Sequence, residues 1–384
     1  MTNSSSSSSN ISNKKEKVYV GMSGGVDSSV SAYLLREAGY DVTGVFMKVW
    51  QPESLDGDED CDWKDERRDA MRVAAKLDIP FKTFDFSEQY KREVVDYMIS
   101  EYRAGRTPNP DVMCNRHVKF GSFLRQALAD GIQYVATGHY AQNIDGKLLE
   151  GVDTNKDQSY FLWTLTPDDL KHVVFPVGHL TKPQVREIAK KAGLPVFDKK
   201  DSQGVCFIGH LDMKAFLKRY ISTESGDIIN RQGEVVGKHD GAALYTIGER
   251  HGLHIFNKAP DSEPYYVVEK DIAKNILVAE TGAQVEDYLE DLVSKEVVLK
   301  NVSWTAAKST DFLSVSNLSG VSDGRNMPLE ARIRHRQERQ SCKLTTRANG
   351  DVQVMFDTPQ RGMAKGQSLV LYHGTTCLGG GIIG

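Results

Sequence analysis

The chain contains little cysteine and no Cys-x-x-Cys pair. Its 384 residues include five cysteines, and these lie far apart in the sequence. Structural zinc sites usually draw their ligands from such pairs, so we expect no zinc site in this protein. Few and scattered cysteines are typical of the reducing cytoplasm, where a pair of thiols is reactive rather than a structural staple.

Long apolar runs and a large net charge are also absent. No run is long and apolar enough to cross a membrane, so we expect no membrane association, and the cysteine usage leads us to expect a cytoplasmic protein. The formal net charge is −4, so any surface for nucleic acid must be a local patch. Residues 1–16 include a run of serines without the apolar core of a signal peptide, and they are predicted to form a disordered tail.

Alternating strands and helices between residue 17 and about residue 200 predict an α/β fold. We expect a doubly wound parallel sheet that binds its ligand at the carboxyl ends of the strands. Later segments alternate with period two, which predicts a small mixed central domain and a C-terminal all-β barrel. The expected domain boundaries are 17–210, 211–283 and 284–384. Predicted elements of the first domain include strands at 17–20, 42–47, 81–85 and 133–137, a long helix capped by Ser87, a helix from near Phe120 and a capped helix from Thr181 to Gly193.

A glycine-rich turn, Gly21-Met22-Ser23-Gly24-Gly25-Val26-Asp27-Ser28, joins the first predicted strand to the first predicted helix. Free N–H groups and the helix dipole make such a turn an anion site. Gly24 and Gly25 permit a positive φ and close approach to phosphate. Ser23 and Ser28 add hydroxyl donors, and Asp27 would be able to hold a metal ion that bridges phosphates. The alternative is a tight structural turn with a serine cap.

The turn differs from two common nucleotide motifs. It lacks the Gly-Lys-Ser/Thr ending of a Walker-type loop, and it contains no G-x-G-x-x-G dinucleotide motif. Its Ser-Gly-Gly-Val-Asp-Ser core resembles the PP-loop of the ATP pyrophosphatase superfamily. Members of that superfamily cleave ATP between the α and β phosphates and leave AMP on an oxygen of the substrate. The resemblance therefore implies an adenylating active site that consumes ATP.

Two cysteines lie in predicted loops with positive neighbours. Cys114 ends a proline-containing segment at 105–115, and Cys206 lies between glycines in segment 201–209. The positive residues are Arg103, Arg106, Arg116 and Lys119 around the first, and Lys199 and Lys200 before the second. Cations lower the pKa of a thiol, so the pair suggests sulfur transfer by thiol–disulfide exchange. For each cysteine alone, a buried structural role is the alternative, and spacing does not show that they meet.

Several motifs together resemble the tRNA-specific 2-thiouridylase (MnmA) family, which thiolates the wobble uridine of certain tRNAs. After the glycine-rich turn they follow in the family's order: Asn-Pro-Asp-x-x-Cys-Asn at 109–115, Ala-Thr-Gly-His-Tyr at 136–140, Lys-Asp-Gln-Ser-Tyr at 156–160, the Cys206 segment, Gly-Gln-Ser at 366–368 and Cys-Leu-Gly-Gly-Gly at 377–381. The resemblance covers nearly everything from residue 17 to the C-terminus. The longer serine-rich start is the one clear departure.

The resemblance assigns site residues by their positions in these motifs. The implied ATP-binding residues are Gly21, Met22, Ser23, Gly24, Gly25, Val26, Asp27, Ser28, Met47 and Gly138. Asn109, Pro110 and Asp111 would contact the target base, with Asp111 assisting proton transfer. Cys114 would be the nucleophile, and Cys206 would carry the persulfide. The implied tRNA-binding residues are Asn109, Pro110, Asp111, His139, Lys156, Asp157, Gln158, Arg334, His335 and Gln367.

The implied reaction uses ATP and Mg²⁺ and a sulfur donor, such as a cysteine desulfurase or a sulfur-relay protein. The C2 oxygen of the wobble uridine (U34) in tRNAs for Lys, Glu and Gln is adenylated, and persulfide sulfur then displaces AMP to give 2-thiouridine. The physical logic agrees, because a carbonyl oxygen leaves poorly and AMP leaves well. The target base must also leave its stack to enter a closed pocket.

For most of the other charged and reactive residues, the sequence favours a structural role. For one basic segment, a structural role and RNA binding are equally well supported. Segment 332–336 is predicted to be a strand with three arginines on one face, either an RNA-binding stripe or a solvated surface. One predicted helix carries four positive residues, and a solvated helix face explains them better than an RNA contact does: Lys182, Arg186, Lys190 and Lys191. Cys61 lies in an acidic run, Cys342 and Cys377 are predicted to be small core residues, and His139 alone would be a core histidine.

Two other functions remain open from sequence. The first is an adenylating ligase that forms an amide or a guanidine, which would retain activity when Cys114 is replaced by serine. The second is a nucleotide-responsive RNA-binding protein without turnover, which would bind tRNA without consuming ATP. Two reactive thiols argue against both.

Overall fold

The first domain is built on a parallel sheet between two layers of helices. Its strands are β1 (Lys17–Gly21), β2 (Asp41–Lys48), β3 (Phe81–Asp85), β4 (Tyr134–Ala136), β5 (Ala141–Ile144), β6 (Lys147–Glu150) and β7 (Val173–Val174). Five of them form an all-parallel sheet in the order β3-β2-β1-β4-β7. Tyr19 of β1 packs into one buried cluster, and Val18 and Val20 pack into another. Both faces of the sheet are therefore covered, as expected for a doubly wound fold.

The computed structural model describes residues 15–52, 62–200, 213–221, 223–256, 262–281, 293–306, 329–347 and 350–384. Cys61 and Cys206, with its segment 201–209, lie outside the described residues, as does most of the predicted tail. Over the part that is described, no helix has both the length and the apolar content needed to cross a bilayer.

The helices of the first domain match most of the sequence expectations. They are α1 (Val26–Glu37), α2 (Asp62–Lys76), α3 (Ser87–Tyr90), α4 (Asp96–Arg103), α5 (Pro110–Cys114), α6 (Phe123–Ala129), α7 (Pro167–Leu170) and α8 (Lys182–Lys191), with π-helical turns at Lys91–Val95 and Asn115–Ser122 and a 3₁₀ turn at Ser159–Phe161. The predicted capping box at Thr181 is present, since its backbone N–H donates to Oε1 of Gln184 at 2.8 Å. Ser87 is the first helical residue rather than the cap; the preceding residue is Phe86, and it makes no side-chain cap.

The helix that carries Cys114 begins ten residues earlier than predicted. Helical structure runs from Pro110 through the π-helical turn to Ala129, so Cys114 lies on a helix and not on a loop. Oδ1 of Asn109 accepts a hydrogen bond from the backbone N–H of Val112 at 3.3 Å. Asparagine at the N-cap followed by proline at the first helical position is a strong start signal. The prolines therefore begin this helix.

The central domain contains a mixed five-stranded sheet. Its elements are α9 (Met213–Lys218), β8 (Gly226–Ile229), β9 (Val235–His239), a 3₁₀ turn (Ala242–Leu244), β10 (His254–Ile255), β11 (Tyr265–Asp271) and β12 (Ile276–Thr281). The order is β10-β9-β8-β12-β11, and the β8–β12 pair is parallel while the other pairs are antiparallel. Phe216 packs edge-on against Trp50 of the first domain at 6.2 Å between ring centroids.

The C-terminal strands close into a barrel. They are β13 (Val293–Trp304), β14 (Leu329–Arg332), β15 (Gln340–Thr346), β16 (Val352–Arg361), β17 (Ser368–His373) and β18 (Thr376–Ile383). The six described strands pair in the order β13-β16-β15-β14-β17-β18, and an antiparallel β13–β18 pair closes the ring. The hairpin β5–β6 of the first domain extends this sheet through Leu149 and Thr376. The predicted barrel is confirmed.

Two cysteines lie in the barrel strands as predicted. Cys342 on β15 and Cys377 on β18 are both buried. Burial raises the pKa of each thiol to about 12, so both stay protonated at neutral pH. They are small core residues.

The predicted basic strand at 332–336 is wrong. Strand β14 ends at Arg332, and Arg336 has a φ of 65°, which no extended strand contains. The Arg332 side chain is only 11% exposed and forms an ion pair with Glu150 at 2.6 Å. It lies 3.5 Å from the carboxylate of Asp157 as well. The three arginines therefore do not form one basic face.

Replacing Arg332 with methionine tests the importance of this buried pair. Arg332→Met leaves two mostly buried carboxylates, Glu150 and Asp157, with less compensating charge. Loss of one partner of a buried ion pair costs about 3 kcal/mol or more, so we expect a lower free energy of unfolding by that amount. Urea denaturation would measure it. The matched control, Lys343→Met on exposed β15 surface, should change little. An unchanged stability in Arg332→Met would contradict this role.

Candidate active site

The glycine-rich turn has the backbone of an anion site. β1 ends at Gly21 and α1 begins at Val26, so the turn lies at the carboxyl end of a central strand. Gly24 has a φ of 74°, and a Cβ there would clash with the backbone carbonyl of Glu66. Gly25 is the N-cap of α1 and makes no side-chain cap, so the first N–H groups of α1 are available to a ligand.

Serine hydroxyls stabilise the turn from inside. Oγ of Ser28 accepts the backbone N–H of Ser23 at 3.2 Å and donates to the carbonyl of Gly25 at 3.2 Å. Oγ of Ser29 also donates to the carbonyl of Gly25, at 2.7 Å. These three hydrogen bonds stabilise the conformation of the turn.

The predicted ATP-binding residues outside the turn lie against it. A Cβ on Gly138 would lie 2.7 Å from the backbone nitrogen of Ser28, so the chain after β4 packs directly on the first turn of α1. Met47 is buried, and its Cε lies 2.9 Å from the position of a Cβ on Gly21. The structure thus brings Gly21–Ser28, Met47 and Gly138 together, while their binding of ATP remains a prediction.

Two lysines that sequence analysis did not assign to this site contact the turn. Nζ of Lys182 lies 2.7 and 2.8 Å from the two carboxylate oxygens of Asp27. Nζ of Lys199 lies 3.2 Å from the carbonyl oxygen of Gly24 and 2.8 Å from Asp69. The solvated face expected for α8 holds for exposed Lys190 and Lys191 but is wrong for Lys182, which is 11% exposed. The capping box at Thr181 indicates that Lys182 begins α8, but it does not indicate which element Lys182 contacts.

Cys114 lies at the end of α5 and is fully buried. The next residue, Asn115, donates from Nδ2 to the carbonyl of Phe161 at 3.0 Å. Among the cations predicted to surround the thiol, Arg106 pairs with Glu101 and Arg103 donates to the carbonyl of Tyr220. Lys119 is buried within the π-helical turn that follows Cys114. The expected cationic loop is therefore a buried helical site with fewer uncompensated charges.

The barrel holds the segment that leads into α5. Nε2 of Gln367 donates to the carbonyls of Thr107 and Pro108 at 3.1 and 3.4 Å. The backbone N–H of Thr107 donates to the carbonyl of Lys365 at 2.8 Å. Gly366 has a φ of 91°, and a Cβ there would lie 3.0 Å from the Thr107 carbonyl oxygen. Gln367, predicted to contact tRNA, thus also positions the start of the Asn109–Cys114 segment.

Three other residues predicted to bind tRNA make internal contacts at the same seam. Asp157 is buried and accepts hydrogen bonds from the backbone N–H groups of Gly151 and Ser159 at 3.0 and 3.1 Å. Gln158 accepts the backbone N–H of Tyr140 at 3.0 Å. Nε2 of His335 lies 3.0 Å from the carbonyl oxygen of Asp157. These contacts order the loop that carries them.

The remaining predicted tRNA residues differ in exposure. Arg334 is exposed and donates to the carbonyl of Gly362 at 2.9 Å, and Lys156 is half-buried. Nδ1 of His139 lies 2.7 Å from Oγ1 of Thr137, and its ring packs against Phe120 and Phe175. Burial, assisted by the nearby charge of Lys119, holds the pKa of His139 well below its ordinary value. His139 is therefore neutral at physiological pH in this structure.

Comparisons with known proteins agree across the whole chain. The family model described as the tRNA methyl transferase HUP domain matches residues 16–210. The tRNA methyl transferase PRC-barrel domain matches 214–280, and the aminomethyltransferase beta-barrel domain matches 294–383. The tRNA-specific 2-thiouridylase MnmA of Idiomarina loihiensis is 44% identical over 384 residues, which is 97% of each chain. The chain belongs to the tRNA-specific 2-thiouridylase family.

Further relatives extend the comparison. The 2-thiouridylase of Bacillus subtilis is 44% identical over 371 residues, covering 96% of this chain and 94% of that protein. Solved structures give more distant similarities. The U34-tRNA thiolase NcsA from Methanococcus maripaludis matches 53% of this chain and 64% of its own, with 18% identity and a TM-score of 0.33. A 4-thiouridine synthetase–RNA complex with bound ATP matches 53% and 50%, with 18% identity and a TM-score of 0.31.

Replacing Gly138 with alanine tests whether its packing against the glycine-rich turn matters for the predicted binding of ATP. The added Cβ would lie 2.7 Å from the Ser28 nitrogen and would push the first turn of α1 aside. The displaced N–H groups would bind phosphate less well, and the loss of one hydrogen bond to a charged group, about 1.5–3 kcal/mol, corresponds to about tenfold or greater weakening of ATP affinity, which calorimetry would measure. Gly39→Ala is the control: a Cβ there meets open space, and although its φ of 91° strains the backbone, it lies beyond the far end of α1 and should leave ATP affinity unchanged. Equal ATP affinity in wild type and Gly138→Ala would contradict a role for this packing in ATP binding.

Proposed function

We propose that this protein is a tRNA 2-thiouridylase. It adenylates the C2 oxygen of the wobble uridine with ATP, then transfers persulfide sulfur to C2 and releases AMP and pyrophosphate. The observation that carries the proposal is the similarity to 2-thiouridylases over 97% of both chains. Three features of the site support it: the anion-binding turn, the capped helix that carries Cys114, and the barrel contacts that hold the start of that helix.

The glycine-rich turn binds the ATP phosphates in this proposal. The N–H groups at the start of α1 and its dipole favour the negative charge of a polyphosphate. Met47 and Gly138 line the turn, and serine hydroxyls keep it in place. An arrangement fixed in advance stabilises developing charge without reorganisation during the reaction.

Magnesium would enter with the nucleotide. Among the described residues no group of three or more His, Cys, Asp or Glu side chains is placed to hold a metal ion. Both oxygens of Asp27, the carboxylate in the turn, lie within 2.8 Å of Nζ of Lys182. Mg²⁺ would therefore be held mainly by phosphate oxygens and water, as is common for nucleotide-bound magnesium, and it would neutralise phosphate charge when bound.

The start of α5 supplies the residues for the base and for sulfur. Asn109, Pro110 and Asp111 contact the target uridine in this proposal, and Asp111 assists proton transfer. Asp111 and Cys114 are three residues apart on one helix, so their side chains lie on the same face. Because Cys114 is fully buried here, the site must open locally to admit a base that has left its stack.

A balanced sulfur transfer uses both cysteines. The terminal sulfur of a Cys206 persulfide forms a bond to C2 of the adenylated uridine, and the C2–O bond breaks as AMP leaves. The Cys114 thiolate then attacks the Cys206 sulfur, and the S–S bond to the transferred sulfur breaks with its electron pair going to the thiouridine. The resulting disulfide is reopened by a thiol reductant. A cysteine desulfurase or a sulfur-relay protein recharges Cys206.

The proposal also assigns tRNA contacts to residues outside α5. His139, Lys156, Asp157, Gln158, Arg334, His335 and Gln367 contact tRNA in this proposal. Several of them form the seam between the first domain and the barrel, so a tRNA bound there would touch both. Substrate tRNAs would be those for Lys, Glu and Gln.

Sulfur incorporation into tRNA tests the proposal. Purified protein, ATP, Mg²⁺, tRNA, a cysteine desulfurase and cysteine are combined, and the wobble nucleoside is analysed by mass spectrometry. We expect 2-thiouridine from the wild type and from the control Cys61→Ser, and none from Cys114→Ser or Cys206→Ser, because each mutant lacks one sulfur centre. If the protein forms no thiouridine but releases pyrophosphate when another nucleophile is supplied, the thiolation proposal fails. That result would favour an adenylating ligase.

A further inference from the structure

The carboxylate of Asp27 is held by two groups from outside the glycine-rich turn. Nζ of Lys182 lies within 2.8 Å of both of its oxygens. The hydroxyl of Tyr140 donates to Oδ1 at 2.8 Å. The three residues are far apart in the sequence but meet at the first turn of α1. The Lys182 side chain is 11% exposed and Tyr140 is buried, whereas 30% of the Asp27 side chain is open to solvent, so the cluster is partly shielded and still reachable by a ligand.

Lys182 is held there by the packing of its helix. α8 shares a buried cluster with α1 through Val185 and Ala189 on one side and Val26 and Val30 on the other. The backbone N–H of Lys182 donates to Oδ2 of Asp153 at 2.9 Å. The helix is fixed at both the cap and the core. Its first side chain is therefore directed at the turn by the fold.

The electrostatics favour a second partner for the Lys182 ammonium group when a polyphosphate arrives. Lysine is a compact point charge that binds phosphate well, and a shielded site strengthens its interactions. A polyphosphate at the N-terminus of α1 would bring negative charge next to the Asp27 carboxylate. Like charges repel at this distance, and the ammonium group between them relieves the repulsion by bonding to both.

Lys199, the other lysine at the turn, has a different environment. It is 34% exposed, pairs with Asp69 of α2, and contacts the backbone carbonyl of Gly24. These contacts stabilise the backbone of the turn. Lys182 instead contacts the side chain that faces the ligand in the proposed function.

We propose that Lys182 binds the β and γ phosphates of ATP and stabilises pyrophosphate as it leaves, with Asp27 and Tyr140 positioning the ammonium group before ATP arrives. The inference rests on the proposed function, because it assigns Lys182 to the leaving group of the adenylation step. It assigns no contact to AMP. The P–O bond between the α and β phosphates breaks with its electrons on the pyrophosphate oxygen, whose charge the ammonium group offsets.

Ligand binding to the full-length protein gives a readout that does not depend on turnover. The Kd values of inorganic pyrophosphate and of AMP are measured by calorimetry for wild type, Lys182→Met, Lys182→Arg and the control Lys190→Met. Lys190 is exposed on the same helix. We expect Lys182→Met to weaken pyrophosphate binding by about 10- to 100-fold, the usual loss for one charge-assisted hydrogen bond, and to leave AMP binding unchanged. Lys182→Arg should restore part of the affinity.

Single-turnover release of pyrophosphate with saturating tRNA completes the test. Lys182→Met should lower the rate by about 10²- to 10³-fold, whereas Lys190→Met should match wild type. Equal loss of pyrophosphate and AMP affinity would mean that Lys182 only supports the fold, and an unchanged pyrophosphate affinity would also overturn the inference. If wild type binds pyrophosphate through Lys182 but releases none with tRNA, the proposed function fails and the binding site stands.

Discussion

Strand β17 has two buried faces, and the arrangement of the site depends on this strand. Leu369 and Leu371 pack inside the barrel, whereas Val370 and Tyr372 pack into the core of the first domain. One strand thus belongs to two hydrophobic cores, because alternate side chains of a strand point to opposite faces. The barrel and the catalytic domain cannot separate without exposing Val370 and Tyr372. Full burial of a large apolar side chain contributes about 1.5–3 kcal/mol to stability, so separating the two domains would lose about that much for each of these residues.

Polar contacts along the same seam fix its register. The hydroxyl of Tyr160 donates to the Ser368 carbonyl at 2.8 Å, and Nε1 of Trp163 donates to Oγ of Ser368 at 3.1 Å. Buried hydrogen bonds of this kind are directional, so they select one docking geometry where apolar contact alone would allow several. The two residues immediately before β17, Gly366 and Gln367, contact the segment that leads to Asn109. The barrel therefore positions the start of the helix that carries the proposed nucleophile.

The sequence predicted what depends on local pattern and missed what depends on distant partners. The parallel sheet and the glycine-rich turn follow from strand periodicity and from glycines next to a helix start, and both are present. The sequence pattern predicts Arg332 on an exposed strand face, because nothing near it in the sequence shows that it forms a buried ion pair with Glu150. Lys182 and Asp27 are 155 positions apart, so their contact exists only after α8 packs on α1. The helix start at Pro110 was available in the sequence, since asparagine followed by proline is a capping pattern, but the two prolines indicated a stiff loop instead.

The fate of the uridine C2 oxygen tests adenylation most directly. A substrate tRNA carrying ¹⁸O at C2 of the wobble uridine would be incubated with the enzyme, ATP, Mg²⁺ and a sulfur donor, and the products would be analysed by mass spectrometry. Attack of that oxygen on the α phosphate places the ¹⁸O in AMP, in a ratio of one per thiouridine formed. Label in pyrophosphate would mean activation at another phosphate, and label retained in thiolated tRNA would contradict displacement of the C2 oxygen by sulfur.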